Sequence, residues 1–183
     1  AEEASARYLR LGRGEKSTAE GLGYLRRALI LRPDDDGLKR ELIQRLIDAD
    51  RHEDAALQTE LYVAWLRKKG DPIATLRATR EILEQLDEFD EMLVLRAELS
   101  EDAGNRPEAV HLYRRIAAIR LDSDLAEEFT FEEGTEILGR ILELVPEDLD
   151  SRHRLASLLV VKRPQDAILE LKEFVRHASR LSE

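Results

Sequence analysis

From Asp90 to Leu121 the chain carries two stretches of helical periodicity joined by a turn, and this hairpin limits what the rest of the sequence can be. Leu93, Ala97 and Ser100 fall on one side of a first helix. Gly104-Asn105 supplies a left-handed turn with no Cβ penalty at the glycine. Pro107 stands in the opening turn of a second helix, where its missing N–H costs nothing. Ala109, Leu112, Tyr113 and Ile116 line one face of that helix at steps of three and four. Ala97 is the small residue at which the two helices approach closely.

Parts of this pattern recur. Gly21, Leu25, Ala28 and Pro33 are spaced by four, three and five residues, and so are Ala109, Tyr113, Ile116 and Leu121. Gly134, Leu138, Ile141 and Pro146 repeat the same steps. Arg32-Pro33-Asp34-Asp35 is paralleled by Val145-Pro146-Glu147-Asp148. The small residues opening successive second helices are Gly21, Ala55, Ala74 and Ala109, at gaps of 34, 19 and 35. A gap of 19 is one helix plus a turn. The helix at 53–68 therefore closes one hairpin and opens the next, and an irregularity is predicted from Trp65 to Pro72.

The periodicity predicts helices over 2–11, 18–31, 36–48, 53–68, 72–86, 90–102, 106–120, 123–130, 133–144, 149–161 and 165–181. Ala4, Tyr8 and Leu11 share a side of the first, which Gly12-Arg13-Gly14 is expected to break. Ser17 or Thr18 can cap the next. Leu38, Leu42, Ile43 and Leu46 form the apolar face of the third. Leu57, Leu61 and Trp65 are expected inside on the fourth, and Ala74, Ala78 and Ile82 on the fifth. The 123–130 segment is short for a first helix and is read as a truncated or 3₁₀ element. Ala167, Leu171 and Val175 are expected to face inward on the last. No stretch shows the period-two alternation of a strand.

Taken together, these hairpins resemble tetratricopeptide repeats, whose units are helix–turn–helix and ~34 residues long. The likeness spans nearly the whole of 1–183, read as one domain of about five imperfect hairpins. The helix from Asp71 and the segment 122–131 depart from the pattern. The resemblance implies an all-α, right-handed superhelical array of antiparallel hairpins with a concave groove lined by the first helix of each pair. Groove positions carried over are Arg40, Gln44 and Ile47, then Val94, Glu98 and Glu101, and Arg152. It further implies a non-enzymatic scaffold or adaptor holding a peptide or helix of a partner protein. One subclass clamps C-terminal carboxylates with lysine and asparagine; the one asparagine here, Asn105, sits in a turn, which argues against that role.

Composition narrows the alternatives. Residues 1–32 carry a net +3, residues 33–151 a net −16 and residues 152–183 a net +3. The acidic middle repels a phosphate backbone, so nucleic-acid binding is not expected. Basic ends beside an acidic centre suggest a second reading, a structural self-assembly module forming homo-oligomers. A third, a regulatory domain of a larger multidomain protein, rests on Ala1 standing where a methionine would. Cysteine is absent, which removes thiolate chemistry and cysteine-ligated zinc and is consistent with a cytoplasmic setting. Apolar runs such as Leu158–Val161 are too short to span a membrane.

No catalytic, cofactor or metal motif survives inspection. Gly12 to Thr18 ends like a phosphate-binding loop, but Glu15 precedes Lys16 where glycine is required, and no strand leads into it. His52-Glu53 lacks the second histidine of a zinc-protease helix, and His111, His153 and His177 stand apart. Glu127-Glu128 and Glu132-Glu133 are adjacent, hence splayed on a helix. Trp65 and Tyr62 are assigned to the core.

Overall fold

The computed structural model describes residues 2–14, 19–122 and 131–180, and the 123–130 segment and the Ser17/Thr18 cap lie outside them. All of the regular structure among the described residues is helical. Ten helices follow in order: α1 (Glu2–Gly14), α2 (Ala19–Leu31), α3 (Asp36–Asp48), α4 (His52–Arg67), α5 (Pro72–Gln85), α6 (Asp90–Asp102), α7 (Arg106–Asp122), α8 (Phe131–Leu144), α9 (Leu149–Lys162) and α10 (Pro164–Arg180). The backbone groups into two compact units, Ala1–Met92 and Leu93–Glu183.

Aspartates start several of these helices. Asp35, Asp71 and Asp148 each accept a hydrogen bond from the backbone N–H three residues on, capping α3, α5 and α9. Pro72 follows its cap directly, where its fixed φ suits the first turn. Helix ends are closed by left-handed residues. After α6, Gly104 has φ 75°, and the Asn105 N–H reaches back to the Ser100 carbonyl at 2.7 Å. The same closure follows α3, where Arg51 N–H bonds the Leu46 carbonyl at 2.9 Å, but there the left-handed residue is Asp50, φ 55°. A side chain in that conformation is strained by roughly 1 kcal/mol.

In the first unit α1 packs on α2, α2 on α3, and α4 on both α3 and α5, while α3 also touches α5. Packing on two neighbours is common to α2, α4, α8 and α9. In the second unit α7 packs on α8, α8 on α9 and α9 on α10. Leu93 and Ala97 of α6 join the α7 residues Ala109, Leu112, Tyr113 and Ile116 in one buried cluster. The Leu38, Leu42, Ile43 and Leu46 face of α3 is buried as its periodicity requires.

Four expectations are corrected. Gly12 does not end α1: it lies buried inside the helix, where a Cβ would stand 3.1 Å from the Gly21 carbonyl oxygen and 3.1 Å from Leu25 Cγ. The pair of glycines is there for close approach. On α4 the buried stripe is Ala55, Thr59, Tyr62, Val63 and Leu66, leaving Leu57 and Leu61 exposed and Trp65 half-buried. Thr59 can be buried because its hydroxyl donates to the Ala55 carbonyl at 2.8 Å. The same device, Thr79 to the Thr75 carbonyl at 2.8 Å, turns the Thr75/Thr79 side of α5 inward and leaves Ala74 exposed. On α10 Ala167 is buried, but Leu171 and Val175 are exposed.

At Gly134 a Cβ would meet Leu121 Cδ2 at 3.0 Å and Leu158 Cδ1 at 3.2 Å, whereas at Gly139 of the same helix it meets nothing within 4 Å. Gly139→Ala is therefore expected to raise stability by roughly 0.5–1 kcal/mol, and Gly134→Ala to lower it, in denaturant titrations read by circular dichroism. Asp50→Gly should stabilise by roughly 0.5–1 kcal/mol through relief of its left-handed backbone.

Candidate functional site

With one face of α3 buried, the positions spaced by three and four on its other side face outward: Arg40, Glu41, Gln44, Arg45 and Asp48. On α5, burial of Thr75, Leu76, Thr79, Ile82 and Leu83 leaves Arg77, Ala78 and Glu81 along an edge. Because α4 carries both neighbours, α3 and α5 lie side by side. Between them opens a cleft of about 600 Å³, lined by these residues and Ile82.

The cleft wall on the α3 side is held by ion pairs. The Arg13 guanidinium donates to Glu41 at 2.9 Å, and Arg45 donates to Glu41 at 3.1 Å and to the Gly12 carbonyl at 2.8 Å. Arg13 holds the Glu41 carboxyl below the usual carboxylate range, overcoming the opposing effect of partial burial. Arg40 donates to Asp36 at 2.7 Å, and the Tyr62 hydroxyl donates to the other oxygen of that carboxylate at 2.7 Å. Burial first, then Asp36, raises the Tyr62 hydroxyl well above its ordinary pKa, so it remains a donor. Gln44 donates to Gln85 of α5 at 3.0 Å and to Asp48, one turn on in α3, at 3.0 Å. Among the described residues Arg77 and Glu81 have no side-chain partner. They are the polar groups the cleft holds ready.

Of the residues expected at a groove, Arg40 and Gln44 line this cleft together, and Ile47 is half-buried on α3 outside its lining. The remaining ones lie on the second unit. Val94 packs half-buried against the core there, and Glu98 is exposed on α6. Glu101 accepts from Arg140 at 2.6 Å and 2.9 Å and from the Tyr113 hydroxyl at 3.1 Å, an arrangement that ties α6, α7 and α8 together. Burial, with Glu101 adding to it, pushes that Tyr113 hydroxyl up to about 12. Arg152 is only 8% exposed, donating to Glu170 at 2.5 Å and to the Pro146 carbonyl at 2.6 Å. It pins α9 to α10 rather than facing a groove. Sequence reasoning missed Arg77 and Glu81, because groove positions were sought on first helices only and α5 was read as a second helix.

Tyr62 is buried, as its assignment to the core requires, and Trp65 is half-buried beside it, its indole N–H donating to Asp34 at 3.1 Å. No group of three His, Asp or Glu side chains among the described residues is placed to hold a metal ion. No helix among them is long and apolar enough to cross a membrane.

The decisive geometry is serial. Antiparallel pairs such as α6–α7, closed by a left-handed glycine and joined by the Arg96–Glu108 ion pair at 2.9 Å, are followed by helices that stack on them in chain order. The fold is TPR-like. No family model and no curated protein matches the chain. Solved structures do. The MamA RS-1 ArsTM double mutant is 14% identical over 97% of this chain and 96% of its own, with a TM-score of 0.41. A MamA protein is 10% identical over 100% and 96%, TM-score 0.31. A tetratricopeptide repeat protein from Parabacteroides merdae ATCC 43184 is 12% identical over 96% and 80%, TM-score 0.31.

One carboxylate outside the cleft reports on the second unit. Burial would raise Asp148, but Arg114 donates to it at 2.6 and 3.0 Å, with Ser151 adding its hydroxyl, and the net shift is downward. The unfolded chain thus binds more protons than the folded one as pH falls through about 4, so stability from Glu41 and Asp148 is full above that value and lost below it. Arg114→Ala should lower stability at pH 7 by about 1 kcal/mol, with the deficit shrinking toward pH 3, in urea titrations at both values.

Proposed function

We propose that the chain is a non-enzymatic scaffold whose α3/α5 cleft receives a peptide segment of a partner protein. The observation that carries this reading is the open cleft itself, with Arg77 and Glu81 unpartnered among the described residues on the α5 wall and Gln44 on the α3 wall, its amide bonded to Gln85 just beyond the lining. Side-chain amides can exchange their mutual hydrogen bond for bonds to a peptide backbone at little net cost. Arg40 and Arg77 would take carboxylates of the segment, and Glu81 a basic side chain. Glu41 and Arg45 are consumed in holding the wall, which leaves the cleft nearly balanced in charge. Binding is then governed by fit and hydrogen bonding, with little electrostatic steering of the encounter.

A displayed library of short random peptides, panned on the wild-type protein, tests the reading. Enriched peptides should bind Arg77→Glu and Gln44→Ala at least tenfold more weakly, a loss of roughly 1.4 kcal/mol. Both positions are on the surface of the cleft, so circular dichroism should show unchanged folding. Peptides that bind wild type and both variants equally would contradict the reading.

A further inference from the structure

Two helices carry exposed apolar stripes. On α4, Leu57 and Leu61 are 53% and 58% exposed, and Ala64 continues the stripe one turn on. On α10, Ile168, Leu171 and Val175 are 51%, 42% and 61% exposed and line a shallow depression with Lys172. Such a face on an outer helix of a stacked array is costly in water.

The spacings of the two stripes are mirror images. Along α10 the steps are three and then four; along α4 they are four and then three. Laid antiparallel, Leu57 falls opposite Val175, Leu61 opposite Leu171 and Ala64 opposite Ile168. The same register sets Glu60 of α4 level with Lys172 of α10, both surface charges without an ion-pair partner among the described residues. Pairing α10 with a second α10 does less well: with Ile168 across from Val175, Leu171 falls opposite Lys172, and the two lysines crowd the centre. Pairing α4 with α4 brings Glu60 toward its own copy in the same way. Like charges at the centre of a helix pair are destabilising, opposite ones stabilising.

We infer that α10 of one molecule docks antiparallel on α4 of a second copy, making a head-to-tail association distinct from the α3/α5 cleft. The contact is heterologous: each pair of molecules keeps one free α4 and one free α10, so chains or closed rings grow with concentration. A single helix pair buries much less than the ~1,600 Å² of a standard interface, so the association is weak and depends on concentration.

Sedimentation velocity of the full chain over a concentration series is the test, with Leu61→Asp and Val175→Asp as partners. Both sites are exposed, so neither change disturbs a core. Wild type should show a weight-average sedimentation coefficient that rises with concentration beyond the dimer value. Each variant alone should remain monomeric. Mixed together they should stop at a one-to-one dimer, since each still carries the surface the other lacks. Lys172→Glu should weaken wild-type association at least tenfold, and adding Glu60→Lys in the same chain should restore it. A monomeric wild type throughout, loss of association with only one of the two aspartates, or a mixture that stays monomeric would each overturn the inference.

Discussion

A hairpin of two short helices buries one face and leaves the other wet, so it is stable only where a neighbour covers that second face. Everything else in this chain follows from how closely successive helices can approach. Gly12 meets the backbone of Gly21, and Gly134 lies against leucines of two flanking helices. Ala28, Ala97 and Ala109 are wholly buried. At each crossing a small residue lets leucines and isoleucines on either side interdigitate, and the buried apolar area they gain drives the stacking.

The cleft of the first unit follows from that stacking. Inner helices support two neighbours each: α2 supports α1 and α3, α4 supports α3 and α5, and α8 supports α7 and α9. Because α3 and α5 also touch each other, the outward charges of α3 come to face the edge of α5. The cleft walls are made rigid by Glu41, which two arginines grip, and by Asp36, which Arg40 and Tyr62 share. The groups left over, Arg77 and Glu81, are those with no structural task among the described residues.

Much of the fold was legible because hairpin chemistry is local. Gly104, Pro107 and Ala109 announce a turn and a helix start, and the structure has both. The α3 face could be read because its four large apolar residues leave no rival stripe. Failures occurred where two stripes competed. On α4 the leucines at 57 and 61 outrank Thr59 in hydropathy, yet the threonine is buried because it satisfies its own hydroxyl one turn back. The opposite stripe has Tyr62, Val63 and Leu66 to bury, and more area to gain. Periodicity also cannot tell an ion pair within the fold from a charge offered to a partner, so Glu101 and Arg152 looked like groove residues while holding helices together. The cleft-lining residues of α5 were passed over because α5 was read as a second helix, whereas it touches α3.

The central claim is that α3 and α5 are neighbours across an open cleft. The chain has no cysteine, so a pair introduced at Gln44→Cys and Gln85→Cys can be probed without background. Two glutamines that meet tip to tip at 3.0 Å hold their backbones too far apart for a direct disulfide, so a short bifunctional maleimide should join the two cysteines within a single molecule, giving a compact monomer that migrates faster on a denaturing gel. No intramolecular crosslink in the folded protein, with both thiols still open to a monofunctional maleimide, would contradict the arrangement from which the function is argued.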